Sequence, residues 1–315
     1  MTGASGFVGA NLARRLLADG HEVHLLMRPG FRSWRLDRIL NDFHLHEVIL
    51  DDPDSVGQVV AEVRPEWIFH LATHGAYSTE KDLRQMLRTN VTGTTTLLTE
   101  ALRFGFEAFV NAGSSSEYGF KDHAPSETES LEPNSDYAVT KASATLFCSY
   151  YGRMTGANIR TLRLYSAYGP WEEPIRFIPT LAMHGMAGRL PRLASPAIAR
   201  DYVYVDDVVA AFILAAAHPQ PDPGGVYNIG TGTQLTLAEV VRIARAQLAI
   251  EDAPRWGSLG ARAWDADVWV SDSQLARHAL GWRPKVAFEE GLGRFAAWIR
   301  SDDRTVDFYR NHAAR

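Results

Sequence analysis

The sequence predicts an α/β protein: a doubly wound parallel sheet carrying a smaller C-terminal lobe. Three observations predict it. Apolar runs of strand length alternate with longer stretches of helical period, which places helices on both faces of a parallel sheet. A glycine-rich turn, "GASGFVG" at 3–9, opens the first helical stretch. A Pro/Gly-rich interval at 169–199 breaks the alternation and reads as inserted segments rather than a linker between independent domains.

In chain order, the amphipathic period gives a helix at 7–19, then a strand at "HEVHLLM" (21–27) and a second at "HEVIL" (46–50). Helix 55–63 leads to strand "WIFHL" (67–71), and the long helix 80–104 to strand "AFVNA" (108–112). Helix 136–155 precedes "IRTLRL" (159–164), and helix 205–217 precedes "VYNIG" (226–230) through the turn cluster "PDPGG" (221–225). Helices at 236–249 and 288–300 close the chain. The sheet domain is thus expected over 1–165 with a returning segment at about 200–233, and the smaller lobe over 166–199 and 234–315.

Composition narrows the class. With 315 residues, 46% of them apolar, the chain can form one large domain or two moderate ones sharing a core. Its 32 basic and 37 acidic residues give a charge of −5 without any run of five like charges, which argues against a nucleic-acid partner. Cys148 is the only cysteine, so internal disulfides and cysteine metal clusters are excluded. No signal peptide is found, and no apolar run approaches the roughly 18 residues that span a bilayer. A cytoplasmic protein with no membrane partner is expected. The 11 histidines look scattered, without metal-ligand spacing, so no metal is expected.

The glycine turn carries the first functional signal. Gly3, Gly6 and Gly9 stand at G-x-x-G-x-x-G spacing before a helix, where a backbone can approach a pyrophosphate held at the positive helix terminus. The next strand ends at Arg28, where a ribose-reading carboxylate is expected. An arginine there suits a 2′-phosphate, so the cofactor is expected to be NADP or NAD, with NADP favoured. A surface arginine is the plain alternative.

The second signal is "SDYAVTK". Tyr137 and Lys141 stand four apart on a helix and share one face. A phenol of pKa about 10 acts as a base near neutrality only if a neighbouring cation stabilises its phenolate, and Lys141 is placed to do so. Upstream, "FVNAGSSSEYG" ends a strand with three serines, one of which can hydrogen-bond the same substrate oxygen.

With these residues in view, the chain resembles an extended short-chain dehydrogenase/reductase of the nucleotide-sugar epimerase, dehydratase and reductase branch. The motifs are "TGASGFVG", "FHLAT" (69–73), "NVTGT" (90–94), "SSSEYG" (114–119), "YAVTK" (137–141), "RLYSAYGP" (163–170), "RDYVYVDDV" (200–208) and "LGWRP" (280–284), in family order along nearly the whole chain. The resemblance implies a Rossmann-type fold, a nucleotide-sugar substrate and hydride exchange between a sugar carbon and a nicotinamide. It makes Tyr137 the acid/base, Lys141 its partner on the nicotinamide ribose, and a serine the orienting donor. It also implies cofactor contacts at Gly3, Ser5, Gly6, Phe7, Val8, Gly9, Leu71, Ala72, Thr73 and Asn90. Its adenine-reading aspartate falls on Ile49 by strict register or, by a small slip, on Leu50 and Asp51. His70 is expected to pack against the cofactor rather than ligate.

An ungapped alignment selects Ser114 as the orienting serine, whereas anchoring on Glu117 selects Ser115. In the first register, Ser115 and Ser116 replace the acid and glutamate of 4,6-dehydratases and line the substrate site. In the second, Ser116 and Glu117 restore a dehydratase-like pair. The resemblance further implies diphosphate and ribose contacts from Arg200, Arg262 and Asp265, while Ser166 replaces a substrate-contacting asparagine. "WEEP" (171–174) reads as a solvated loop, and Trp256, Trp264 and Trp269 either line the sugar pocket or fill the lobe. The expected activity is C4 epimerisation of a nucleotide-activated hexose through a transient 4-ketone. Rivals are an NADPH-dependent 4-ketoreductase, a 4,6-dehydratase and, from another class, a non-catalytic cofactor sensor. The family implies a homodimer through helices at about 80–104 and 136–155, although Leu146, Phe147, Tyr150 and Tyr151 could equally face the sheet. Only Met1 and Thr2 precede the glycine turn, where relatives place a central strand, so a start upstream of Met1 is expected.

Overall fold

The computed structural model describes residues 1–31, 34–77, 79–219, 222–260 and 266–312. Its first half runs α1 (Phe7–Ala18), β1 (His24–Met27), β2 (His44–Glu47), α2 (Pro53–Val63), β3 (Trp67–His70) and α3 (Leu83–Met86). A π-helical turn, Leu87–Thr92, carries α3 into α4 (Gly93–Phe104). Then follow β4 (Ala108–Ser114), a 3-10 turn (Ser115–Tyr118), α5 (Asp136–Thr155), β5 (Ile159–Leu164) and β6 (Ser166–Tyr168). The remainder is α6 (Phe177–Met186), β7 (Ala199–Arg200), β8 (Tyr202–Tyr204), α7 (Val205–Ala217), β9 (Gly225–Ile229), β10 (Leu235–Thr236), α8 (Leu237–Leu248), α9 (Gln274–Ala279), α10 (Phe288–Arg300) and α11 (Asp303–His312).

The main sheet is parallel throughout. β1 pairs with β2, and β3, β4, β5 and β9 form the other ladder. Thr2 bridges both Leu26 and His70, so Met1 and Thr2 join the two halves at the centre. Successive strand residues face opposite layers. Ile68 and Phe109 meet α2, α4 and α5 through Val56, Val60, Leu97, Leu98 and Cys148. Phe69 and Val110 meet α1 and α7 through Leu12, Leu16, Val208 and Phe212. A third cluster, including Leu181, Ile243, Leu292, Phe295 and Tyr309, holds α6, α8, α10 and α11 together as the smaller lobe.

Local chemistry explains the element ends. Asp52 caps α2 ahead of Pro53 at its first position, and Ser135 caps α5, which stops at Gly156 in the left-handed region. Several expectations shift. β2 lies at 44–47 rather than 46–50: His44, Leu45 and Glu47 are exposed on an edge strand, while the apolar signal of Val48 and Leu50 belongs to the turn beyond. α6 forms inside the Pro/Gly-rich stretch because Pro179 falls in its first turn, where no backbone donor is required. Neither α9, α11 nor the short β6–β8 and β7–β10 ladders show in the sequence pattern. Among the described residues no helix is long and apolar enough to cross a membrane.

Two buried carboxylates fasten the lobe to the sheet. Asp201, with no exposed surface, accepts hydrogen bonds from the Thr231, Gly232 and Ser271 amides at 2.7, 3.0 and 3.0 Å and from the Thr231 and Ser271 hydroxyls. Asp207 accepts from the amides of Lys285 and Val286, while its carbonyl takes the Trp282 indole N–H. Replacing Asp201 by Ala would take the carboxylate acceptor from the buried Ser271 amide and the half-buried Thr231 amide, and from both hydroxyls. Asp201→Ala is therefore expected to lower stability by about 3 kcal/mol or more, read as an earlier urea midpoint with an unchanged slope.

Candidate active site

The sequence places glycines where the turn leaves no room for a side chain. Gly3 has φ +71°, and a Cβ there would sit 2.4 Å from the Leu71 carbonyl carbon. A Cβ on Gly9 would lie 2.1 Å from the Gly3 oxygen. α1 starts at Gly6 with no side-chain cap and no acidic residue in its first turn, so its first amides are left for an anion. This cradle fits the pyrophosphate of a dinucleotide. Ser5 lies inside the turn, and Arg28 is exposed just past β1. Leu50 packs against Gly93, and Asp51 lies 4.0 Å from Arg88.

Beneath the cradle a hydrogen-bond chain fixes one histidine tautomer. The Ala72 amide donates to Thr2 Oγ1, leaving that hydroxyl to donate to His70 Nδ1 at 2.8 Å. Thr94 Oγ1 donates to the Asn90 carbonyl, so it accepts from His70 Nε2 at 2.8 Å. His70 is thus a neutral core residue, its pKa pushed down to about 3 by burial and then by Lys141. The Asn90 amide group takes the His74 amide and Thr73 hydroxyl and donates to the His74 carbonyl and Thr140 Oγ1. It ties the segment after β3 to α5 directly under Tyr137.

At the end of β4, Ser114 caps the 3-10 turn: the Ser116 amide donates to its Oγ at 3.2 Å, and its own amide donates to Glu117 Oε1 at 2.8 Å. Glu117 is fully buried, paired with Arg163 at 2.8 Å and hydrogen-bonded by Thr145. Its carboxylate sits where a Cβ on Gly113 would lie, 2.9 Å away. Burial raises the Glu117 pKa, with Arg163 opposing. Burial likewise raises that of Tyr137, whereas hydrogen bonding to Ser114 lowers it, as do Thr73 and the more distant Arg176. Of the three serines, Ser114 is the one that opposes the burial of Tyr137. Ser115 instead accepts the Trp269 indole N–H at 3.2 Å, and Ser116 shares a hydrogen bond with Ser114 at 2.7 Å. Lys141 Nζ donates to the Ala112 carbonyl at 2.5 Å, and burial lowers its pKa against the pull of Glu117.

On the lobe side, Ser166 donates its amide to the Asp201 carbonyl. Arg200 donates to the carbonyls of Ala199 and Ala266, and its guanidinium lies 5.1 Å over the Trp269 ring. Trp269 thus connects the serine turn to Arg200. Arg262, Trp264 and Asp265 lie outside the described residues.

"WEEP" is not a solvated loop. Arg35, which the sequence pattern did not single out, donates to the Trp171 carbonyl, the Ser5 carbonyl and Glu173 Oε2 at 2.7, 3.2 and 2.7 Å. Asn11 reaches the Pro170 carbonyl, and the Arg14 guanidinium lies 4.0 Å over the Trp171 ring. The loop is sewn to the glycine turn. Glu172 is buried, its carbonyl taken by the Tyr309 hydroxyl of α11.

Comparison with known proteins agrees with this geometry. A profile of the NAD dependent epimerase/dehydratase family matches residues 1–230. The chain is 32% identical to a UDP-glucose 4-epimerase of Mycolicibacterium smegmatis, covering 99% of this chain and 98% of that one. It is 29% identical to a dTDP-glucose 4,6-dehydratase of Streptomyces griseus, with 95% and 92% covered. The crystal structure of a Thermus thermophilus UDP-glucose 4-epimerase in complex with NAD superimposes with a TM-score of 0.83 at 29% identity, covering 95% of this chain and 98% of that one.

Burial pushes the Glu172 pKa up to about 8. The folded chain therefore binds a proton that the unfolded chain, with a glutamate pKa of about 4.3, has released. Stability from this group is full below the unfolded value and is lost as pH rises toward 8. Glu172→Gln, neutral at every pH, should be near wild type at pH 5 and more stable than wild type at pH 8, measured by urea unfolding at both.

Proposed function

Because the chain belongs to the NAD-dependent epimerase/dehydratase family, we propose that it interconverts C4 epimers of a nucleotide-activated hexose through a transient 4-ketone. The observation that carries this proposal is the pairing of Ser114 with Tyr137 above a serine turn whose only carboxylate, Glu117, is locked on Arg163. A hydroxyl proton can be moved there. A carbon-bound proton, as loss of water requires, finds no accessible base in that turn.

The glycine cradle and the segment Leu71–Thr73 would hold NAD(P), which supplies hydride acceptance and return when bound. Tyr137 takes and returns the sugar hydroxyl proton at its phenolic oxygen. Ser114 orients that hydroxyl and stabilises the phenolate. Lys141 anchors the nicotinamide ribose, Asn90 positions α5, Arg200 and Arg262 meet the diphosphate, and Asp265 accepts from a ribose hydroxyl. Arg28, exposed just past β1 with no carboxylate paired to it among the described residues, supports NADP. That preference in turn favours a 4-ketoreductase as second reading, since a reductase must exchange its reductant at each turnover.

Purified protein given UDP-, dTDP-, GDP- and CDP-hexoses without added cofactor should form epimers. Turnover seen only with NADPH and a 4-keto sugar would transfer the assignment to the reductase. Tyr137→Phe should lower kcat by about 10²–10⁴-fold and leave cofactor binding intact. Ser114→Ala should lower it about 10²-fold and move the acid limb of the pH profile upward, because the hydrogen bond that lowers the Tyr137 pKa is lost.

The same family supports a homodimer. Val139, Leu146, Phe147, Tyr150 and Met154 form an exposed apolar stripe on α5, with Leu146 60% and Met154 67% exposed, whereas Tyr151 packs inward. The double variant Leu146→Asp with Tyr150→Asp should sediment as a monomer. A wild-type chain that is itself monomeric would remove the proposal.

A further inference from the structure

Four side chains at the start of the β1–β2 ladder gather away from the glycine turn. His24 and His44 are partners in the ladder, and their rings stack with centroids 4.6 Å apart. Glu22 Oε1 lies 3.2 Å from His24 Nε2 and 3.4 Å from His44 Nε2. One potential ligand atom from each of the three lies within 4.8 Å of the others. On the far side of the His24 ring, Nδ1 shares a hydrogen bond with His46 Nε2 at 2.9 Å.

Strand geometry produces this grouping. Residues two apart share a face, so Glu22 with His24 on one chain segment and His44 with His46 on its neighbour converge once the strands pair. Bonds of about 2.0–2.1 Å in a tetrahedral zinc site put ligand atoms about 3.3–3.4 Å apart, and both Glu22–histidine separations already match that edge. Two imidazoles and a carboxylate are a donor set that suits zinc and its borderline neighbours rather than magnesium or calcium.

The geometry points to a zinc-type divalent cation site formed by Glu22 Oε1, His24 Nε2 and His44 Nε2, with His46 orienting the His24 ring. An ion on His24 Nε2 leaves the ring proton on Nδ1, which then donates to His46, the outer hydrogen bond that fixes a ligating imidazole. The His44 ring must turn out of its stack to aim its lone pair. Its side chain is 59% exposed, so that rotation meets little obstruction. The ion would staple β2, an edge strand that among the described residues pairs with β1 alone, to the body of the sheet. His24 is the first residue of β1 and Arg28 follows the last, so at about 3.3 Å per residue the staple lies at the opposite end of the strand from the cofactor cradle. It acts on stability rather than turnover.

The test uses untagged protein, freed of metal with a chelator and titrated with zinc chloride by calorimetry. Unfolding temperature is followed alongside, with cobalt(II) as spectroscopic probe. One equivalent of zinc per chain, a raised unfolding temperature and the visible bands of tetrahedral cobalt are expected. His44→Ala, at an exposed position, should abolish all three. His46→Ala should weaken zinc binding by about 10–100-fold, and His123→Ala, at an exposed histidine elsewhere, should change nothing. Absence of zinc binding, or binding of unchanged affinity in His44→Ala, overturns the proposal.

Discussion

The ion pair between Glu117 and Arg163 is the constraint on which the site depends. Both side chains are almost entirely removed from water, where an unpaired charge costs several kcal/mol and only complete hydrogen bonding makes a pair tolerable. The surroundings supply that bonding. Glu117 takes the Ser114 amide and the Thr145 hydroxyl, while Arg163 also reaches the Tyr118 hydroxyl, which donates to Asn228 on β9. One pair therefore fixes the end of β4, the face of α5 and the register of β5 with β9. Ser114 and Tyr137 meet because those three elements cannot shift separately.

A second set of contacts closes the site from the other side. Arg35 bridges the glycine turn to the 170–173 loop, and Tyr309 of α11 holds the same loop through the Glu172 carbonyl. Asp201 binds the segment after Arg200 to the strands that return to the sheet. The smaller lobe thus meets the cofactor cradle largely through hydrogen bonds to backbone carbonyls, which are insensitive to side-chain identity on the accepting residues, alongside the Arg35–Glu173 ion pair and the Arg14 guanidinium over Trp171. That is one reason why so little of the lobe's attachment shows in the sequence.

What was legible followed periodicity and short motifs. α5 and α7 fall at their expected bounds, the glycine turn leaves no room for a side chain at Gly3, and Ser114 opposes the burial of Tyr137. Tertiary partners were not legible. "WEEP" has the composition of a surface loop, yet Glu172 is buried because helix α11, invisible as a partner in the local pattern, folds over it. The grouping of His24, His44 and His46 depends likewise on a tertiary partner. E-x-H at 22–24 and H-x-H at 44–46 each put two side chains on one face, and only the pairing of β1 with β2 brings the two faces together.

The protonation of the site also bears on its chemistry. In the folded chain burial raises the pKa values of Tyr137, Glu117 and Glu172 and lowers that of Lys141. Each shift favours a neutral group. Glu117 is committed to Arg163 and Glu172 lies under α11, so neither carboxylate is placed to relay a proton to a sugar carbon. Tyr137 alone combines access with partners that oppose its burial, Ser114 first among them. A site so arranged favours a reaction in which a single hydroxyl proton leaves and returns at one oxygen. That constraint connects the placement of one serine to the class of reaction proposed, and it weighs against dehydration even though a dehydratase stands among the relatives.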